Sequence, residues 1–240
     1  MLEVILVLVR HGEADHNVTE SQRAGSGSGV IVNYVEDGEK RICDTELTQT
    51  GRQQAQLVAE RMKTEKIDLA AASDLRRARD TALAVASRHH NLQVHTWKSA
   101  RERFFGCFEK SPKLGMKLIG SQTFVEDFIE DRSLLTWKIP EGGESVVDLR
   151  TRITDQFLPQ LVSQAVGLKV ERPTVLVASH GLFIKELHRI LRQKSIAGDN
   201  FGMEKPVVNT SVSQYSLQVE SGGEIRDVRC EVFACDKHLQ

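Results

Sequence analysis

An unbroken aliphatic run, Val4 to Val9, opens the chain after a short start and predicts a strand buried on both faces. It stops abruptly at Arg10-His11-Gly12-Glu13. Ala55, Val58, Ala59 and Met62 then recur at i, i+3, i+4 and i+7, the stripe of an amphipathic helix that Thr48 or Thr50 can cap. Ile67–Ala72 reads as a second buried strand, followed by Ser73 and Asp74 as helix caps and by Leu75, Ala78, Ala82, Val85 and Ala86 along one helical side. Leu92–Trp97 alternates like a third strand. From Lys110 to Ile139 the pattern is mixed and best read as helical, with Phe124, Phe128 and Leu135 facing inward.

After Pro140-Glu141-Gly142-Gly143-Glu144-Ser145, a long helix carries Val146, Leu149, Ile153, Phe157 and Leu161 inward, and Pro159 should kink it. Pro173–Ala178 is a fourth strand ending in Ser179-His180-Gly181, and Phe183, Leu187, Ile190 and Leu191 mark the helix that follows. Strands around Val212–Val219 and Ile225–Phe233 flank a hairpin signal, Glu220-Ser221-Gly222-Gly223. This alternation predicts a three-layer α/β/α domain with a mostly parallel central sheet of about six strands. No repeat or composition shift divides residues 1–240, so a single domain is expected. Residues 18–43, with Ser26-Gly27-Ser28-Gly29, read as a long glycine-rich loop insertion.

Composition narrows the classes of partner. With 40% hydrophobic and 27% charged residues over 240, the balance is that of a globular protein. A net charge of −1 recruits neither nucleic acid nor an anionic membrane, and no apolar run has membrane-spanning length. Cys43, Cys107, Cys230 and Cys235 fit no zinc spacing and no disulfide framework, so a cytoplasmic protein with reduced thiols is the expectation. Oligomeric state has no signature in the sequence.

The chemistry concentrates where two strands finish alike. If the first and fourth strands are parallel neighbours, His11-Gly12 and His180-Gly181 bring two imidazoles to one sheet edge. Metal ligation is the obvious rival, because histidine is the commonest ligand. Arg10 and an arginine from the second helix would repel a divalent cation, and the same charges suit a phosphate dianion. Arg76 and Arg77 point about 100° apart, so only one of them can serve.

Arg10-His11-Gly12-Glu13 with Asn17 resembles the signature of the histidine phosphatase superfamily, the phosphoglycerate-mutase-like proteins. Further likenesses follow in order: Leu47 to Ala55, Ser73 to Thr81, Arg101-Glu102-Arg103 with Gly106, Gly142 to Ser145, and Ser179-His180-Gly181. The resemblance implies a phosphoglycerate-mutase-like fold and a metal-independent phosphatase without cofactor. It implies His11 as the phosphorylated nucleophile, Glu102 as general acid and base, and His180 as the second catalytic imidazole. Arg10, Asn17, Arg77 and Gly181 would hold the phosphate, and Arg77 is selected over Arg76. Read without the resemblance, Glu102 is better explained by a surface ion pair with Arg101 or Arg103. The Arg101–Glu109 stretch and the short interval between Gly106 and Gly142 look most like the fructose-2,6-bisphosphatases, the TIGAR-type proteins included, and favour hydrolysis of a small phosphorylated metabolite, such as a sugar bisphosphate. A phosphoglycerate mutase, a phosphotyrosine-type signalling phosphatase and an idle relative that binds a phosphorylated ligand or a protein are the alternatives.

Overall fold

The leading aliphatic run forms strand β1 (Leu2–Arg10), whose pleat sends alternate side chains into two separate cores. Val4, Leu6 and Leu8 enter one core; Ile5, Val7 and Val9 enter the other. A strand apolar on both faces belongs at the centre of a covered sheet, and β1 lies there.

The computed structural model describes residues 1–18, 34–38, 40–106, 109, 135–136, 138–139, 142–196, 201 and 205–240. After β1 come β2 (Tyr34–Asp37), β3 (Lys40–Cys43), α1 (Gln49–Met62), β4 (Leu69–Ala72), α2 (Arg76–Ala86) and β5 (Val94–Thr96). Then follow α3 (Val146–Arg152), α4 (Leu158–Gly167), β6 (Thr174–Ser179), α5 (Gly181–Arg192), β7 (Val212–Val219) and β8 (Ile225–Cys235). The main sheet has the order β5-β4-β6-β1-β7-β8, with the first four strands parallel and the last two antiparallel. Helices α1 and α2 cover one face through Ala55, Val58, Ala59, Met62 and Val85. Leu149, Phe157, Leu161, Phe183 and Leu187 cover the other. This is the expected three-layer arrangement.

Three local expectations need correction. Residues 34–38 and 40–43 are not loop: β2 and β3 form a hairpin with Gly38 at its turn, whose φ of 63° suits glycine, with Ile42 buried and Val35 packed against its cluster. The remainder of the predicted insertion, 19–33, lies outside the described residues, as do Phe124 and Phe128. The irregularity in the long helix precedes Pro159. Ile153–Phe157 is a π turn in which the N–H of Leu158 reaches back to Ile153 O. Proline has no N–H to give one turn back, and the widened turn keeps both Ile153 and Phe157 fully buried. Finally, α2 is not capped by Asp74. Asp44, from the segment after β3, accepts from Arg76 N at 2.7 Å, and Asp74 pairs with Arg101.

Close packing fixes how β1 leaves the sheet. A side chain on Gly12 or Gly51 would overlap a backbone carbonyl, Gly51 O in the first case and Glu13 O in the second. Thr48 caps α1 by accepting from Gly51 N and donates to the Glu13 carboxylate at 2.7 Å.

Candidate active site

Parallel pairing of β1 with β6 places Arg10 opposite Ser179, so the next residues, His11 and His180, stand side by side. Their ring centroids are 5.1 Å apart, edge to face, and both imidazoles are buried. They share a cavity of about 720 Å³ with Arg10, Asn17, Arg77, Glu102 and Gly181. All seven residues singled out from the sequence therefore meet in one place. Arg76 turns away to the Asp44 and Glu46 carboxylates.

The hydrogen-bond pattern gives the two imidazoles different capacities. Nδ1 of His11 lies 2.7 Å from Gly12 O; a carbonyl only accepts, so Nδ1 carries the hydrogen and Nε2 keeps its lone pair. Among the described residues, neither nitrogen of His180 has a protein partner, and neither Arg10 nor Arg77 has one at Nε, though all four atoms are buried. Buried polar groups are normally satisfied, so this cluster is built for a ligand that brings acceptors. Each guanidinium is anchored through one other nitrogen: Arg10 Nη1 donates to Val207 O, and Arg77 Nη1 to Cys43 O. Asn17 accepts from Ala14 N through Oδ1, which fixes its side-chain amide on the cavity wall.

The supporting contacts join these pieces. Gly12 N donates to Thr81 Oγ1, which donates to Arg77 O, tying the His11 backbone to α2. Asn209 Nδ2 donates to His11 O, and Thr210 N to Arg10 O. Glu102 is no surface ion pair. Its carboxylate accepts from Arg103 N and from Leu182 N and Phe183 N in the first turn of α5, where the helix end favours negative charge.

Several cavity residues carried no role in the sequence reading. His16 places its ring 5.7 Å from that of His11 and bonds Thr45 Oγ1 through Nδ1. Its signal was its place directly before Asn17. Arg103 is buried, with Nη2 unpartnered among the described residues. Glu109 accepts from Cys43 N and Phe105 N, which pins β3 to the loop bearing Glu102.

Burial, then the charges of Arg77, His180, Arg10 and His16, holds the His11 imidazole well below its ordinary pKa. Burial, then Arg77, His16, Arg10 and Arg152, does the same to His180. In the unfolded chain both protonate near pH 6.5. Below that pH the unfolded state binds protons that the fold refuses, so stability falls as pH falls. The expected slope is about 1.4 kcal/mol per pH unit for each histidine, from 6.5 down to the depressed folded values. Thermal melts at about pH 7.5 and 5.5 check this: Tm should drop at the lower pH, and less in His180→Asn.

Comparison with known proteins gives the family. Residues 32–227 match the model of the histidine phosphatase superfamily, branch 1, and the chain belongs to that family. It is 32% identical to phosphoglycerate mutase-like protein 4 of Arabidopsis thaliana, over 88% of this chain and 79% of that one. It is 30% identical to glucosyl-3-phosphoglycerate phosphatase of Mycobacterium tuberculosis, over 93% and 90%. The structure of mycobacterial glucosyl-3-phosphoglycerate phosphatase in complex with inorganic phosphate superposes with a TM-score of 0.66 at 27% identity, covering 98% of this chain and 99% of that one.

Proposed function

We propose that this chain is a phosphomonoester hydrolase working through a phosphohistidine at His11. The observation that carries the reading is the ring of unpartnered buried nitrogens on Arg10, Arg77 and His180 around an imidazole whose Nε2 lone pair is available. In the first step Nε2 forms a bond to phosphorus as the ester P–O bond breaks, and Glu102 gives a proton to the departing alkoxide. In the second, Glu102 takes a proton from water as its oxygen bonds phosphorus. The N–P bond breaks, and inorganic phosphate and neutral His11 result. Arg10, Arg77, His180, the Asn17 amide and the backbone at Gly181 hold the non-bridging oxygens.

Arg103 Nη2 on the same wall, with Lys185 and Lys205 also lining the cavity, supports a substrate with a second anionic group. A sugar bisphosphate such as fructose 2,6-bisphosphate is one compound of this class. Phosphoserine is another, named in a second relative, the metal-independent phosphoserine phosphatase of Arabidopsis thaliana, at 30% identity. Among the described residues no group of three or more His, Cys, Asp or Glu side chains is arranged to hold a metal.

The test is phosphate release from an aryl phosphate with EDTA in excess, followed by a panel of phosphorylated metabolites. Undiminished release in EDTA is expected, with doubly anionic esters hydrolysed best. A requirement for added magnesium or zinc would contradict the reading, and conversion of a phosphoglycerate to its isomer without phosphate release would make the chain a mutase.

A further inference from the structure

The segment Ser99–Phe104 carries Glu102 into the cavity without being part of a sheet, so its backbone needs partners from elsewhere. Ser179 Oγ, at the end of β6, donates to Ala100 O at 2.7 Å. Arg152, the last residue of α3, supplies most of the rest. Its Nη1 donates to Ser99 O and Arg101 O, both at 2.9 Å, and its Nη2 donates to Glu102 O at 3.0 Å. The remaining donors fork onto Glu144, Nε to Oε1 and Nη2 to Oε2, both at 2.8 Å. All five N–H groups of the guanidinium are thereby used. Glu144 grips the same loop from the other side. Its Oε2 accepts from Phe104 N, its backbone N–H donates to Phe104 O, and its carbonyl accepts from Arg103 Nε. The pair is nearly buried, with 13% and 14% of the side chains exposed.

We infer that Arg152 and Glu144 are positioning residues that set the proton-donating carboxyl of Glu102 against the leaving oxygen. The inference rests on the proposed role of Glu102 as general acid. A lysine at 152 keeps the charge but offers three donors on a point ammonium in place of the five of the planar fork, so the three carbonyls and both Glu144 oxygens cannot all be held. A displacement of about 1 Å in a catalytic group costs on the order of 100-fold in rate.

The leaving group separates this role from a merely structural one. An alkoxide needs a proton as the P–O bond breaks; p-nitrophenolate does not. For Arg152→Lys and Glu144→Gln, kcat/KM on glycerol phosphate should fall about 100-fold and on p-nitrophenyl phosphate less than about 3-fold, the pattern of a displaced acid. Equal losses on both substrates, or none on either, overturn the positioning role. Glu102→Gln is the comparator and should show the same selective loss. Equal losses there overturn instead the reading of Glu102 as the acid.

Discussion

His11→Ala should lose at least about 10⁴-fold in kcat on every phosphomonoester while keeping its fold, because removing the nucleophile removes the covalent route itself. Its neighbour cannot stand in. His11 has its Nδ1 hydrogen pinned on Gly12 O and its Nε2 lone pair directed by that bond, whereas none of the described residues fixes the tautomer of His180. Orientation of the attacking atom is worth several kcal/mol of barrier, and His180 lacks it. The guanidinium cluster survives the substitution, so His11→Ala should still bind inorganic phosphate. Calorimetric titration with phosphate together with a steady-state assay checks both halves. Residual turnover within about 10-fold of the unmodified chain would mean that another group attacks phosphorus.

Arg77→Met should move activity and stability in opposite directions. Arg77 is buried in the wall of the cavity, and burial draws its pKa down from the ordinary guanidinium value, a sign that the charge is poorly solvated. Beyond burial it is the largest single cause of the depressed pKa of both His11 and His180. In the proposed reaction it would face charge spread over the phosphoryl oxygens, where deleting one such donor costs about 10²–10³-fold in rate. In the ligand-free fold it is a liability. Methionine fills a similar path through the structure without the desolvation penalty, at the loss of one hydrogen bond to Cys43 O. The nearby carboxylates of Glu109, Glu102 and Asp44 offset only part of that burial cost, so an apolar side chain of similar length is expected to be neutral or stabilising. The expected result is therefore kcat/KM down about 10³-fold, Tm unchanged or raised, and a shallower fall of Tm towards acid pH. An Arg77→Met protein that is both active and destabilised would show that the guanidinium serves the fold.

Strand ends and helix stripes made much of this molecule legible in its sequence. The run Val4–Val9 reads correctly because a strand covered on both faces has no polar positions, and the pleat divides it between two cores. The paired His-Gly endings pointed to one site, but their juxtaposition depends on β6 inserting beside β1, a long-range pairing that no local pattern encodes. The hairpin at 34–43 was hidden because a glycine-rich stretch precedes it and each of its strands has only four residues. The capping of α2 was misread because its partner, Asp44, comes from a distant segment that only the fold delivers. Arg152 stayed silent for a different reason. It acts on backbone carbonyls, which have no side-chain signature, so its sequence neighbours carry no trace of the loop it holds.

A neutral His11 attacking through Nε2 is tested most directly by mapping the phosphorylated site after brief exposure to labelled substrate, with an alkaline quench and NMR of the isolated peptide. Glu102→Gln, which slows the attack of water, is the protein to load with p-nitrophenyl phosphate. Phosphorus should be found on residue 11 and bonded to Nε2, in an adduct stable to base and labile to acid. Label on His180, or on Nδ1 of His11, would contradict the tautomer fixed by Gly12 and with it the identity of the nucleophile.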